Sequence, residues 1–245
     1  MTFNSHIQII NSLIVKYPNR IIELEKLFQG DTNMYIDYAN VLPWQNKLGW
    51  NIDLKRMRQF FCGFDTIKSL NLYYGTLLGD IQSKKFIEEV GNIGFTVKTK
   101  DVKIMKKSID VSSIPSNSPI ILENFIRKPL LDNLKISDIE GLNTRLKELN
   151  SSGVLYLEDR KCNFDVEMGT DILLDLHFGK TQTFVIWSGD SDFYDIVKQL
   201  QKAGKNVYIF ATARKVSREL SESGAVIYDI QKIRDLLCWK RQIRP

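Results

Sequence analysis

Short apolar runs alternate with amphipathic stretches along most of this chain. In the first thirty residues Ile9, Ile10, Leu13, Ile14, Tyr17, Ile21, Leu24 and Leu27 recur at spacings of three and four, which predicts one or two amphipathic helices broken near Pro18. Met34-Tyr35-Ile36 then predicts a buried strand that ends in Asp37 and the polar turn Ala39-Asn40. Ser69 to Leu78 predicts a second strand, Lys84 to Val90 a helix stopped by Gly91 or Gly94, and Phe95-Thr96-Val97 a third strand. From Ile104 to Ser152 the alternation breaks: Pro115, Pro119 and Pro129 interrupt it, and helices are predicted over Ile120 to Leu131 and Ile139 to Leu149. We read this segment as an insertion.

The alternation resumes after Gly153. Val154 to Leu157 predicts a brief strand, and Asp165 opens a helix whose apolar face is expected to hold Val166, Gly169, Thr170, Leu173 and His177. Thr183 to Trp187 is a nearly continuous apolar strand running into Ser188-Gly189-Asp190-Ser191-Asp192. A helix through Phe193, Ile196, Val197 and Leu200 is capped at Gly204. Asn206 to Phe210 and Ala225 to Tyr228 predict strands, with helices over Val216 to Ser221 and Ile230 to Leu237. Strands alternating with helices predict an α/β fold, a mostly parallel sheet with helices on both faces. Residues 1–30 form an N-terminal helical extension in this reading, and 31–245 the main domain with an insertion at about 104–152.

Composition narrows the chemistry more than the fold. With 43% hydrophobic and 26% charged residues in 245, the chain is an ordinary globular protein rather than a disordered, collagenous or membrane one. No apolar run approaches the ~18 residues of a spanning helix, and the start lacks a basic leader, so a cytoplasmic protein without membrane contact is expected. Cys62, Cys162 and Cys238 are too widely spaced for a disulfide framework or a thiolate zinc site. His6 and His177 are too few for a histidine-rich zinc site and make a histidine-based triad hard to assemble. Carboxylates are the remaining catalytic agents.

In an open parallel sheet the usable crevice lies beyond the carboxyl ends of the strands. Asp37 follows the first strand there, Asp190 and Asp192 follow the strand ending at Trp187, and Asp165 starts a helix re-entering the same rim. Crowded carboxylates raise one another's pKa unless a cation is shared. Mg²⁺ or Mn²⁺, which takes oxygen ligands and substrate phosphate oxygens, resolves the conflict, and phosphodiester hydrolysis is the natural reaction. Asp171 lies six positions after Asp165, roughly 120° away around a helix, so it is expected in a supporting position or on a second ion. Taken alone, Asp165 or Asp192 reads more readily as a helix cap.

The segments Tyr35-Ile36-Asp37-Tyr38-Ala39-Asn40-Val41, Lys161 to Asp171 and Val185 to Phe193 resemble the NYN domain of the LabA-like, PIN-like nuclease superfamily. The resemblance implies a metal-dependent ribonuclease fold with Asp37, Asp165, Asp190 and Asp192 as its acidic centre, Asn40 as the turn asparagine and Ser188 near the phosphate. It extends the expectation to an endoribonuclease cutting RNA by metal-activated water. Lys161 and Arg214, in loops expected near the rim, are the candidate phosphate contacts, and Tyr38 and Trp44 could stack on unpaired bases of single-stranded RNA. The competing expectation is a non-catalytic RNA-binding or regulatory adaptor on the same fold; a phosphatase of small phosphoesters is a third. A homo-oligomer would use the N-terminal helices or the insertion.

Overall fold

A strand covered on both faces reads as a nearly continuous apolar run unless its polar groups find partners inside the fold. The computed structural model of the chain describes residues 3, 11, 14–48, 50–212 and 216–240, with side chains excepted at 43–44, 46–48, 50, 160–161 and 239–240. Its elements are α1 (Pro18–Leu27), β1 (Thr32–Asp37), α2 (Tyr38–Leu48), β2 (Trp50–Ile52), α3 (Leu54–Phe61), β3 (Ile67–Thr76), α4 (Ile81–Ile93) and β4 (Thr96–Asp101). They continue as β5 (Lys103–Ser108), α5 (Lys128–Leu131), α6 (Ile136–Ser151), β6 (Tyr156–Lys161), α7 (Asp165–Phe178), β7 (Thr183–Trp187), α8 (Tyr194–Lys202) and β8 (Asn206–Ala211). The last are α9 (Arg218–Glu222), β9 (Val226–Asp229), α10 (Arg234–Leu237) and β10 (Cys238–Lys240).

Six strands form one parallel sheet in the order β4-β3-β1-β7-β8-β9. Every residue of β1 and of β7 is buried, β7 as a nearly continuous apolar run and β1 with Thr32, Asn33 and Asp37 among its six residues. From β1 the chain winds outward through β3 to β4. It returns to the centre at β7 and winds the other way through β8 to β9. The winding reverses between β1 and β7, and in such a sheet that reversal opens a crevice at the carboxyl ends of the strands. Ile36 pairs with Trp187 there, so Asp37 and Ser188 leave the sheet from neighbouring strand ends.

Local chemistry sets the helix boundaries. The Asp53 carboxylate accepts from the amide of Arg56 at the start of α3, and that of Asp80 accepts from Gln82 and Ser83 at the start of α4. Gly94, at φ 103°, ends α4 in the left-handed region where a side chain would be strained, while Gly91, the other expected stop, lies inside the helix.

The two compact units of the chain are residues 1–101 with 162–245, and 102–161. In the first, Ile21, Leu24 and Phe28 join the same buried cluster as β1 and β7, so α1 is part of the core rather than a free extension. The second is closed by an antiparallel ladder of β5 and β6, running from Lys103 opposite Lys161 to Ser108 opposite Tyr156. It holds a small apolar cluster of its own, Leu122, Leu131 and Ile139. The predicted helix over Ile120 to Leu131 is only a 3-10 turn at Leu122–Asn124 followed by α5. Among the described residues no helix is long and apolar enough to cross a membrane.

The face of α7 differs from the expected one. Phe164, Met168 and Ile172, at i, i+4 and i+8, are buried, whereas Val166 is 77% exposed and His177 is exposed. The cause is polar. Asp175 accepts hydrogen bonds from Asn33 Nδ2 (2.8 Å) and from the Tyr35 hydroxyl, and Asp171 accepts from the Tyr73 hydroxyl (2.7 Å). These two acids therefore point at strands β1 and β3, on a face that the apolar pattern alone does not mark.

Tyr35 and Tyr73 are both fully buried, and burial followed by the aspartate each one bonds pushes both phenols well above the ordinary tyrosine value. The folded state thus keeps both protons while the unfolded chain ionises near pH ~10. Their stabilisation is complete below about pH 10 and is lost as pH rises beyond it. Thermal melts between pH 8 and 11 should show the midpoint falling above about pH 10, with a shallower fall for Tyr35→Phe. Asp175→Ala, which strips acceptors from Tyr35 and Asn33, should cost about 1–3 kcal/mol in urea unfolding at pH 7.5; a neutral substitution would show that the helix is held by packing alone.

Candidate metal centre

Three chain segments converge on the crevice. Asp165, the first residue of α7, and Asp190 and Asp192, in the loop after β7, each offer a carboxylate oxygen, and these oxygens all lie within 4.8 Å of one another. Partial burial, then the negative charges of Asp190, Asp192 and Asp37 and a hydrogen bond with Asp192, push the Asp165 carboxyl up to about 6. Among the described residues, no ion pair involves any of these acids. Among the described residues nothing compensates the repulsion.

Asp37 stands beside this group rather than within it. It is 4% exposed, its carboxyl is pushed upward by burial with a contribution from Asp190, and it accepts from the Asn40 amide (3.3 Å) and the Asn40 Nδ2. Asn40 Nδ2 also donates to Ser188 Oγ at 3.2 Å, and Ser188 Oγ accepts from the Asp190 amide at 3.3 Å. One chain of hydrogen bonds therefore runs from the end of β1 to the loop after β7. Ser188 is fully buried.

Capping explains the acids in an order opposite to the one the sequence suggested. Asp190 accepts from the Asp192 amide (3.3 Å) and so caps its own turn, and Asp37 serves the amide at Asn40. Asp165 provides no cap: Phe164 occupies the cap position of α7 and makes no side-chain cap bond. The acid most readily dismissed as a cap is the one whose charge lacks a local role.

Other expected residues lie elsewhere. Asp171 is engaged by Tyr73 and stands 3.5 Å from Lys98 Nζ, so its carboxylate anchors α7 and does not join the cluster. Glu167, two residues into the helix from Asp165, holds Lys100 Nζ through both oxygens at 2.7 and 2.8 Å. Tyr38 is 5% exposed and stacks on Phe86 at 5.6 Å between ring centroids, which removes it as a base platform. The backbone of Lys161 ends β6, but its side chain, that of Trp44 and all of Arg214 lie outside the described residues. Sequence reasoning missed Tyr35, Tyr73 and Asn33 as partners of α7; the available signal was polar groups within strands that had to be buried and so needed acceptors.

The donor set fits a hard divalent cation. It consists of carboxylate oxygens, carries negative charge that no ion pair among the described residues neutralises, and is partly open to solvent.

Residues 129–231 match the NYN domain. The matched stretch includes Asp165, Asp190 and Asp192 and leaves out β1 with Asp37. Over 207 residues the chain is 23% identical to the Low amplitude and bright protein LabA of Synechococcus elongatus, covering 83% of this chain and 86% of that one. A crystal structure of a protein of unknown function from Vibrio parahaemolyticus superposes with a TM-score of 0.50 at 16% identity, over 85% of this chain and 95% of the other. That likeness is one of fold.

If the three carboxylates take a cation, millimolar Mn²⁺ or Mg²⁺ should raise the melting temperature. At a hundredfold excess over Kd the gain is about 2.7 kcal/mol, or roughly 5–10 °C for a chain of this size. Asp165→Asn and Asp190→Asn should each remove most of that gain. In chelator at pH 7.5, Asp165→Asn should melt above the unaltered protein because a repelling charge is gone. Equal metal responses in all three proteins would place the cation elsewhere.

Proposed function

We propose that this protein is a Mg²⁺- or Mn²⁺-dependent ribonuclease that hydrolyses RNA phosphodiester bonds. The observation carrying this reading is the convergence of Asp165, Asp190 and Asp192 at the sheet's switch point with no cation of the described residues to neutralise them. The NYN domain over the same residues supports the choice of RNA phosphodiester as the substrate.

Asp165, Asp190 and Asp192 would hold the ion, with Asp37 adding negative charge behind Asp190. Once bound, such an ion lowers the pKa of a coordinated water and offsets charge that develops on the phosphoryl oxygens. Asn40 and Ser188 serve position rather than contact. Ser188 is buried and Asn40 is spent on Asp37 and Ser188, so together they fix the Asp37 rotamer and the Asp190 loop before substrate arrives. Lys161 and Arg214 remain the candidate phosphate contacts.

Cleavage of a fluorescent single-stranded RNA in Mn²⁺ tests this directly. The protein should cut it, chelator should stop it, and Asp165→Asn or Asp190→Asn should lower the rate by at least ~100-fold, as loss of a charge-stabilising group does in other active sites. Asn40→Ala should reduce the rate less, through kcat more than KM, since it touches no substrate. Intact RNA in the presence of a clear Mn²⁺-induced rise in melting temperature would instead favour the adaptor reading; undiminished cutting by the aspartate variants would place the activity in another site or another protein.

A further inference from the structure

The second unit carries a surface that the acidic centre does not use. In the β5–β6 ladder, Lys103, Met105 and Lys107 share one face with Asp159 and Leu157, while Ile104, Lys106 and Ser108 share the other with Glu158 and Tyr156. Ile104, Met105, Tyr156 and Leu157 are 50%, 42%, 54% and 45% exposed. A two-stranded ribbon is marginal in water by itself, and apolar side chains open on both faces mark a surface that something covers.

Charge selects the occupant. The twelve ribbon residues comprise five basic ones, Lys103, Lys106, Lys107, Arg160 and Lys161, against Glu158 and Asp159, a formal net charge of +3. Lys107 Nζ meets Asp159 at 2.9 Å, and Lys106 Nζ lies 5.9 Å from the centroid of the Tyr156 ring, so a cation and an aromatic face are presented side by side. Positive groups interleaved with an exposed ring match a phosphate backbone with unstacked bases. The ribbon is also joined by chain to the crevice: Lys103 comes two residues after the end of β4, and Lys161 precedes Asp165 by four.

We propose that the β5–β6 ribbon is a docking surface for single-stranded RNA, with Lys103, Lys106 and Lys107 neutralising phosphates and Tyr156 stacking on a base. This deepens the ribonuclease reading and rests on its substrate being RNA. It assigns to the ribbon the capture of the strand, separately from the carboxylates that would cut it.

Binding is measured apart from cleavage by using the full chain with Asp165→Asn, in chelator, against a fluorescein-labelled 20-nucleotide single-stranded RNA. Relative to that protein, added Lys103→Gln, Lys106→Gln and Lys107→Gln should weaken binding more than tenfold. The slope of log affinity against log salt should become shallower by about 2, the value for three phosphate contacts on a single strand. Tyr156→Ala should weaken binding about tenfold while Tyr156→Phe retains it, because stacking needs the ring and not the hydroxyl. Melting temperatures within a few degrees of the parent exclude misfolding as the cause.

An unchanged affinity and salt slope in the triple-glutamine variant overturns the proposal. So does unchanged RNA binding accompanied by loss of a dimer in size-exclusion chromatography, which would assign the ribbon to a second copy of the chain. If the ribbon variants lose binding but the unaltered protein never cuts RNA, the docking surface stands and the nuclease reading falls. If the protein cuts RNA and the ribbon variants bind normally, the reverse holds.

Discussion

Parallel pairing of β1 with β7 is the constraint on which the rest of the site depends. Strands far apart in sequence become neighbours, and because both run the same way their carboxyl ends open onto the same crevice. Asp37 and Ser188 are thereby adjacent before any side chain makes a choice. The bridge through Asn40 then ties the two strand ends together, and the Ser188 hydroxyl holds the amide of Asp190. The result is a rigid rim on which carboxylates are forced close, a state that water alone would disfavour and a divalent cation would relieve.

The helix α7 carries acids with opposed duties. At its first residue, Asp165 faces the crevice and gains no hydrogen bond from a helix cap. Further along, Asp171 and Asp175 are spent on buried hydroxyls of β3 and β1, and Glu167 on Lys100 of β4. These polar anchors orient the helix on the sheet, and that orientation keeps Asp165 within reach of Asp190 and Asp192. A buried tyrosine hydroxyl without its acceptor would cost more than the hydrogen bond itself is worth, so the anchors set direction more than they add net stability.

Much of the sheet was legible in the chain. The buried strand over Thr183 to Trp187 has the predicted bounds, and Gly94 and Gly204 end their helices in the left-handed region as expected. Both signals are local, since uninterrupted apolar residues demand cover on both faces and positive φ favours glycine. Five elements among the described residues escaped notice: α2, β2, α3, β5 and β10. Among the described residues β2 and β10 pair only with each other, across nearly two hundred residues, and α2, beginning at Tyr38, runs through Ala39-Asn40, which reads as a turn in the sequence. Likewise Tyr38 looked available to a ligand because an aromatic residue after a strand carries no mark of whether Phe86 will come to lie against it.

By itself the sequence determined the alternation of strands and helices, the acidic residues at strand and helix ends, and the scarcity of histidine and paired cysteine that leaves oxygen ligands as the available chemistry. Tertiary structure decided which acids meet. It drew Asp165, Asp190 and Asp192 together, set Asp37 beside them in a hydrogen-bonded pocket, and turned Asp171 toward Tyr73. The reason is that periodicity reports which face of an element is apolar, whereas the direction of a carboxylate depends on donors brought near it by strand order and helix rotation, and those are properties of the whole fold.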